Sequence, residues 1–244
     1  MDRTTDAPNR GSYHHGDLRR ALLEAALGLV SQKGVEGFSL REAAREVGVS
    51  PAAAYRHFED KSALLAALAV DGMGKLALAM EQALDAAPGA PGSPARAAAG
   101  LGAVGEAYIQ FAVDQPSRFQ VMFGPWCDHP DLSELPPEAQ PRGRDPFQIL
   151  VDTLDQLVAS GAVAPAARAG AEIAAWSTVH GLASLLVAEA MPLGPEERGV
   201  AIGLVLRTQL LGMGCAPELL GPAARPVQVD PRCRPDRKPG ERGD

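Results

Sequence analysis

The chain has 244 residues, 46% of them apolar and 22% charged, and a net charge of −7. That length and apolar content exclude a disordered chain and fit one large domain or two small ones around a sizeable core. The charge is divided unevenly: residues 1–70 hold nine Lys/Arg against nine Asp/Glu, and residues 71–222 hold eight against seventeen. A non-specific coater of nucleic acid is therefore disfavoured. Cys127, Cys215 and Cys233 lack C-x-x-C spacing, so neither a disulfide framework nor a zinc site is expected. No signal-peptide core opens MDRTTDAPNRGSYHHGD, and no apolar run approaches the roughly eighteen or more residues of a membrane span. A reducing, cytoplasmic location is the expectation.

Residues 1–14 read as a flexible arm bearing Arg3 and Arg10, and the His14-His15 pair has no further ligands to make a metal site. Leu22, Ala25, Ala26, Leu29 and Val30 fall at helical spacing between His15 and Lys33, and Gly34 closes that helix. Ser39 and Glu42 then form the capping box S-x-x-E. Leu40, Ala43, Ala44 and Val47 follow on one face, Gly48 turns the chain, and Ser50-Pro51 restarts a helix as N-cap and first residue. Two short helices with a glycine turn have helix-turn-helix geometry, whose second helix enters the major groove. An ordinary αα-hairpin has the same outline. Tyr55, Arg56, His57 and Lys61, clustered just beyond the turn, favour DNA.

Asp60 caps a helix over 61–86, with Gly72 and Gly74 as its weak points, and APGAPGSP at 87–94 ends it. Further helices are expected from Ser93-Pro94 to about residue 115, over 116–123, from Phe147 to Gly161, from Pro165 to 190, and from Pro195 to 214. Residues 124–144 are too rich in proline for a regular element, and Cys127-x-His129 inside them lacks a third ligand. The last two helices are apolar nearly all round, which predicts a homodimer formed through 165–190 and 195–214. The Pro/Arg/Asp-rich tail 216–244 is expected to be disordered.

F-S-L-R-E-A-A-x-x-V-G-V-S-x-A-A-x-Y-R-H-F-x-D-K-x-x-L-L, from Phe38 to Leu65, closely resembles the DNA-binding domain of the tetracycline-repressor (TetR) family. Trp176, His180 and Gly181 in W-x-x-x-H-G resemble a subgroup of its regulatory domains. The resemblance implies an all-α protein: a three-helix DNA-binding domain over 15–60 and a helical ligand-binding and dimerisation domain over 61–215. Its partners would be a near-palindromic double-stranded operator, a second copy of the chain and a small hydrophobic effector, with no membrane and no cofactor. Pro51, Ala52, Ala53, Tyr55 and Arg56 would then face base edges with Arg41 beside them, while Ser39, His57 and Lys61 hold phosphate and Ser50 completes the set.

For the effector, the aromatic and sulfur-bearing residues between 108 and 180 are the candidates: Tyr108, Phe111, Phe119, Met122, Phe123, Trp126, Phe147 and Trp176. Tyr108 and His180 would be the polar handles of that site. Trp176 and His180, four residues apart, share a helix face, and a packed tryptophan beside a satisfied core histidine is the slightly favoured reading, since pockets and cores use the same residues. Two rivals remain, a DNA-organising protein without an effector and an α-helical enzyme. No nucleophile–base pair or phosphate-cradling glycine loop supports the enzyme.

Overall fold

The computed structural model describes residues 15–125 and 140–220, and every regular element among them is helical. Two compact units divide the chain: Met1–Leu68 with Gly124–Asp128, and Ala69–Phe123 with His129–Asp244. The arm, the stretch 126–139 with Trp126, Cys127 and His129, and residues 221–244 lie outside the described residues.

The smaller unit holds α1 (His15–Lys33), α2 (Leu40–Val47), α3 (Pro51–Tyr55) and the first turns of α4 (Lys61–Ala86). Leu22, Ala26, Leu29 and Val30 are buried along α1, as the spacing predicts, and Leu23 joins them. Ala43 and Ala44 on α2 have no exposure, because side chains this small let α1 approach closely. The capping box forms in full: the Glu42 amide donates to Ser39 Oγ at 3.3 Å, and the Ser39 amide donates to Glu42 Oε2 at 3.0 Å. Such a cap contributes about 1 kcal/mol. Gly48 ends α2 at φ 78°, a left-handed conformation costly for residues with a Cβ.

In the larger unit α5 (Pro94–Asp114) is central and packs against α6 (Pro116–Phe123), α7 (Pro146–Ala159), α8 (Ala171–Val187) and α9 (Pro195–Gly212). Ser93 caps α5 by accepting from the Arg96 amide at 3.2 Å, and Asp145 caps α7 by accepting from the Gln148 amide at 2.8 Å. The Arg96 guanidinium turns back to the carbonyls of Leu84, Asp85 and Ala87. It thereby satisfies acceptors that the end of α4 leaves without helical partners.

Four expectations are corrected. The helix expected from Pro165 begins only at Ala171; Pro165–Ala167 is a 3₁₀ turn, and Gly170 at φ 73° separates the two. The tail is structured a little further than expected, because Pro217–Leu219 forms a 3₁₀ turn and Leu219 and Leu220 pack on the core. Gly72 does not interrupt α4 and has a packing role. A Cβ there would lie 2.5 Å from Met122 Sδ, so glycine admits α6. Finally, α4 is long and apolar enough to cross a membrane despite Asp71 and Lys75, although 56% of its most apolar window is buried inside the protein.

Candidate functional site

In the smaller unit the turn exposes α3 and the residues around it. Ser50 Oγ accepts from the Ala53 amide at 3.3 Å, which with Pro51 starts α3 in a fixed direction. Of α3 only Ala54 is buried; Pro51, Ala52 and Tyr55 are exposed and Ala53 is half-buried. Arg56 and Arg41 are exposed and His57 is half-buried. Apolar contact and a phenol on the helix, with guanidinium groups beside it, match the chemistry of thymine methyls, base edges and phosphates.

Two expected phosphate ligands have intramolecular duties. Ser39 Oγ is engaged with Glu42 as acceptor and donor. Lys61 Nζ donates to the Glu36 carbonyl at 3.2 Å and lies 4.7 Å from the centroid of the Phe38 ring. Lys33 and Arg45 both lie on the Glu42 carboxylate, at 3.0 and 3.6 Å. The hydrogen bond from Lys33 holds that carboxyl below the ordinary glutamate range.

Within the larger unit is an apolar cavity of about 60 Å³. Of the candidate effector residues, Tyr108, Phe123, Phe147 and Trp176 line it. Phe119 and Met122 are buried in the surrounding core, and neither they nor Phe111 and His180 form its wall. Trp126 lies outside the described residues. The wall also takes Met73, Leu76 and Met80 from α4, Gly102 and Gly105 from α5, and Leu206, Gln209 and Leu210 from α9. The periodicity of core residues does not distinguish these from packed neighbours. The visible signal was Gly102 and Gly105, three apart on one helix face, where side chains are missing.

Tyr108 and His180 are not open polar handles, because they bond each other. Tyr108 Oη lies 2.8 Å from His180 Nδ1, and Trp176 Nε1 donates to Tyr108 Oη at 3.3 Å. An indole nitrogen only donates, so full satisfaction requires the phenol proton to go to His180 Nδ1. His180 is then neutral with its proton on Nε2. Burial pushes the His180 pKa down in agreement, and burial pushes that of Tyr108 up against a smaller opposing effect of the Trp176 bond. Phe119 packs tilted and Phe123 edge-on against the imidazole, at 5.3 and 4.8 Å between centroids.

Ion pairs fix the elements around the cavity. Arg118, 3% exposed on α6, pairs with Asp71 on α4 and donates from Nε to Gln115 Oε1 at 2.8 Å. Glu81 on α4 is 1% exposed and faces Arg144 at 3.0 Å and Arg142 at 3.4 Å, while Arg144 also reaches Asp152 at 3.1 Å. This cluster holds the start of α7, and with it the wall residues Pro146 and Phe147, against α4. Its basic members, Arg142 and Arg144, lie at the end of the proline-rich stretch 124–144, with no periodicity to reveal their partners. Among the described residues no group of three His, Cys, Asp or Glu is arranged to hold a metal ion.

Each of the last two helices leaves an apolar face uncovered. Ile173 (69% exposed) and Leu185 lie on α8, and Leu204 and Leu211 on α9. Gly181 lies on the same open stripe of α8, where an added Cβ would meet nothing within 4 Å.

Residues 22–68 match the family of bacterial regulatory proteins described as tetR family, and residues 101–212 match the tetracyclin repressor-like, C-terminal domain. A Haemophilus influenzae protein described as an uncharacterized HTH-type transcriptional regulator is 49% identical over 47 residues. That match spans 19% of this chain and 23% of the relative. Among solved structures, a protein with unknown function from Rhodococcus sp. RHA1 is 31% identical with a TM-score of 0.66, over 82% of this chain and 97% of that one. The TetR family transcriptional regulator PfmR from Thermus thermophilus is 26% identical with a TM-score of 0.52, over 76% of this chain and 97% of that one.

Proposed function

We propose that this chain, which belongs to the TetR family of transcriptional regulators, is a homodimeric repressor that leaves its operator when a small apolar effector fills the cavity of its larger unit. It acts in the cytoplasm and is not an enzyme. The observation that carries the DNA reading is α3, capped by Ser50 and Pro51, with only one of its five residues buried. Pro51, Ala52, Ala53, Tyr55 and Arg56, with Arg41, are assigned to base edges; Ser39, Ser50, His57 and Lys61 are assigned to the flanking backbone. Ser39 and Lys61 have to share their donors with the contacts they already make.

The effector reading rests on the cavity. Its wall carries no charged side chain and its tyrosine hydroxyl is engaged, so an uncharged apolar guest fits its chemistry. At about 60 Å³ it is small beside the ~300–1,000 Å³ of ordinary ligand sites, so a guest has to move wall residues as it enters. Tyr108, Phe123, Phe147 and Trp176 are assigned to direct contact. Phe111, Phe119, Met122 and His180 are assigned to the layer that the guest displaces, and Trp126 to the unassigned approach. Coupling runs along α4, whose first turns belong to the smaller unit and whose Met73, Leu76 and Met80 line the cavity.

The test is a footprint on DNA flanking the chain's own coding region, followed by anisotropy titrations with a panel of uncharged apolar compounds. Protection of a near-palindromic site and release by at least one compound are expected. Uniform coating of the fragment would favour the DNA-organising alternative, and indifference to every compound would remove the effector.

A further inference from the structure

Seven lysine and arginine side chains are described in the smaller unit: Arg19, Arg20, Lys33, Arg41, Arg45, Arg56 and Lys61. Their pairing separates them. Lys33 and Arg45 share the Glu42 carboxylate. Lys61 is bound to the Glu36 carbonyl. Arg19, exposed on α1, has no carboxylate partner among the described residues; its guanidinium carbon instead lies over the Phe58 ring, 5.2 Å from the centroid. Phe58 is buried two residues beyond Arg56, at the end of the recognition segment.

A guanidinium held over a ring has its long side chain ordered in advance, which lowers the entropy lost on binding. Its N–H donors bond no carboxylate among the described residues, so they are available to a phosphate. We infer that Arg19 is a positioning residue of the DNA interface, binding a backbone phosphate beside the C-terminal end of α3. This rests on the DNA-binding reading above and extends it to a helix outside the helix-turn-helix. No spacing rule joins Arg19 to Phe58 across the intervening chain; only folding brings them together.

The experiment titrates the full chain, Arg19→Ala, Arg19→Lys and Arg56→Ala against the protected duplex and a scrambled duplex, across about 50–200 mM salt, with thermal melting of each variant. Arg19→Ala should weaken both duplexes by a similar factor, on the order of tenfold, and reduce the slope of log affinity against log salt by about 0.9, with a single cooperative melting transition retained and lowered only by the lost ring contact. Arg19→Lys should restore the slope, because charge sets counterion release, and only part of the affinity, because the fork is lost. An unchanged slope, a loss confined to the protected duplex, or a lowered melting temperature with the slope intact would each overturn the assignment. Absence of binding by the unaltered chain would instead refute the DNA-binding premise itself.

Discussion

Tyr108 has one hydroxyl proton and two polar neighbours, and the chemistry of Trp176 decides where that proton goes. Replacing Tyr108 by Phe keeps the ring and leaves the Trp176 N–H and His180 Nδ1 without their partner. The expected cost is about 1–3 kcal/mol, read as a lower urea midpoint with an unchanged slope. His180 also predicts a pH dependence. Its folded pKa lies below the ordinary 6.5 because burial disfavours the imidazolium. Above that value both folded and unfolded forms are neutral, and the contribution to stability is fully present. As the pH falls through 6.5, the unfolded chain takes a proton that the folded one refuses, so stability drops until the folded pKa is reached. A melting series from about pH 7.5 to about pH 5 should therefore decline more steeply for the unaltered chain than for His180→Asn. Parallel curves would show that another group governs the decline.

At the scale of elements, α5 offers a contrast between two glycines on one face. A Cβ at Gly102 would meet nothing within 4 Å, whereas one at Gly105 would overlap Leu206 Cδ2. Both line the cavity. Gly102→Ala should stabilise the protein by about 0.5–1 kcal/mol, the helix preference of alanine over glycine. Gly105→Ala should keep little of that gain, because Leu206 must move into the cavity. The same urea titrations compare the two, and a destabilised Gly102→Ala would mean that its side of α5 is not open. The start of α7 depends on a different force. Arg144→Ala leaves the buried Glu81 carboxylate with Arg142 alone, at 3.4 Å. A fully buried pair broken on one side costs about 3–5 kcal/mol. About 2 kcal/mol is expected here, since Arg144 is itself 32% exposed and Arg142 remains. Glu81→Gln should cost less than Arg144→Ala, because it removes the charge together with its need for a partner. The reverse order would place the stability in Arg144 packing rather than in charge compensation.

For the whole molecule the prediction is assembly. The exposed Ile173 and Leu185 on α8, with Leu204 and Leu211 on α9, form apolar stripes that a second copy would cover. Ile173→Glu and Leu204→Glu should each convert dimer to monomer in sedimentation velocity. Because two half-sites must be held together, each should also abolish cooperative operator protection while leaving the DNA-binding residues intact. The protected operator should show half-sites centred about 34–36 Å apart. An unaltered chain that sediments as a monomer, or protects one asymmetric half-site, would refute the assembly.

Short-range physics made much of the chain legible. The capping box at Ser39, the Ser50-Pro51 restart and the Asp60 cap are decided by residues within three or four positions, so sequence alone located α2, α3 and α4. Periodicity likewise determined the buried face of α1. Where local signals competed the reading slipped: Pro165 looks like a helix start, but Gly170 divides the segment, and Gly72 looks like a flaw until Met122 occupies the space beside it. What only the tertiary structure decided are relations between residues far apart in the chain. Tyr108 meets Trp176 and His180 across about seventy positions, Arg144 meets Glu81 across 63, and Arg19 meets Phe58 from another helix. The sequence therefore marked Tyr108 and His180 as polar residues, while packing determined that each would satisfy the other. A side chain's chemistry is written locally, but the partner that spends its hydrogen bonds or charge is chosen by how the helices pack.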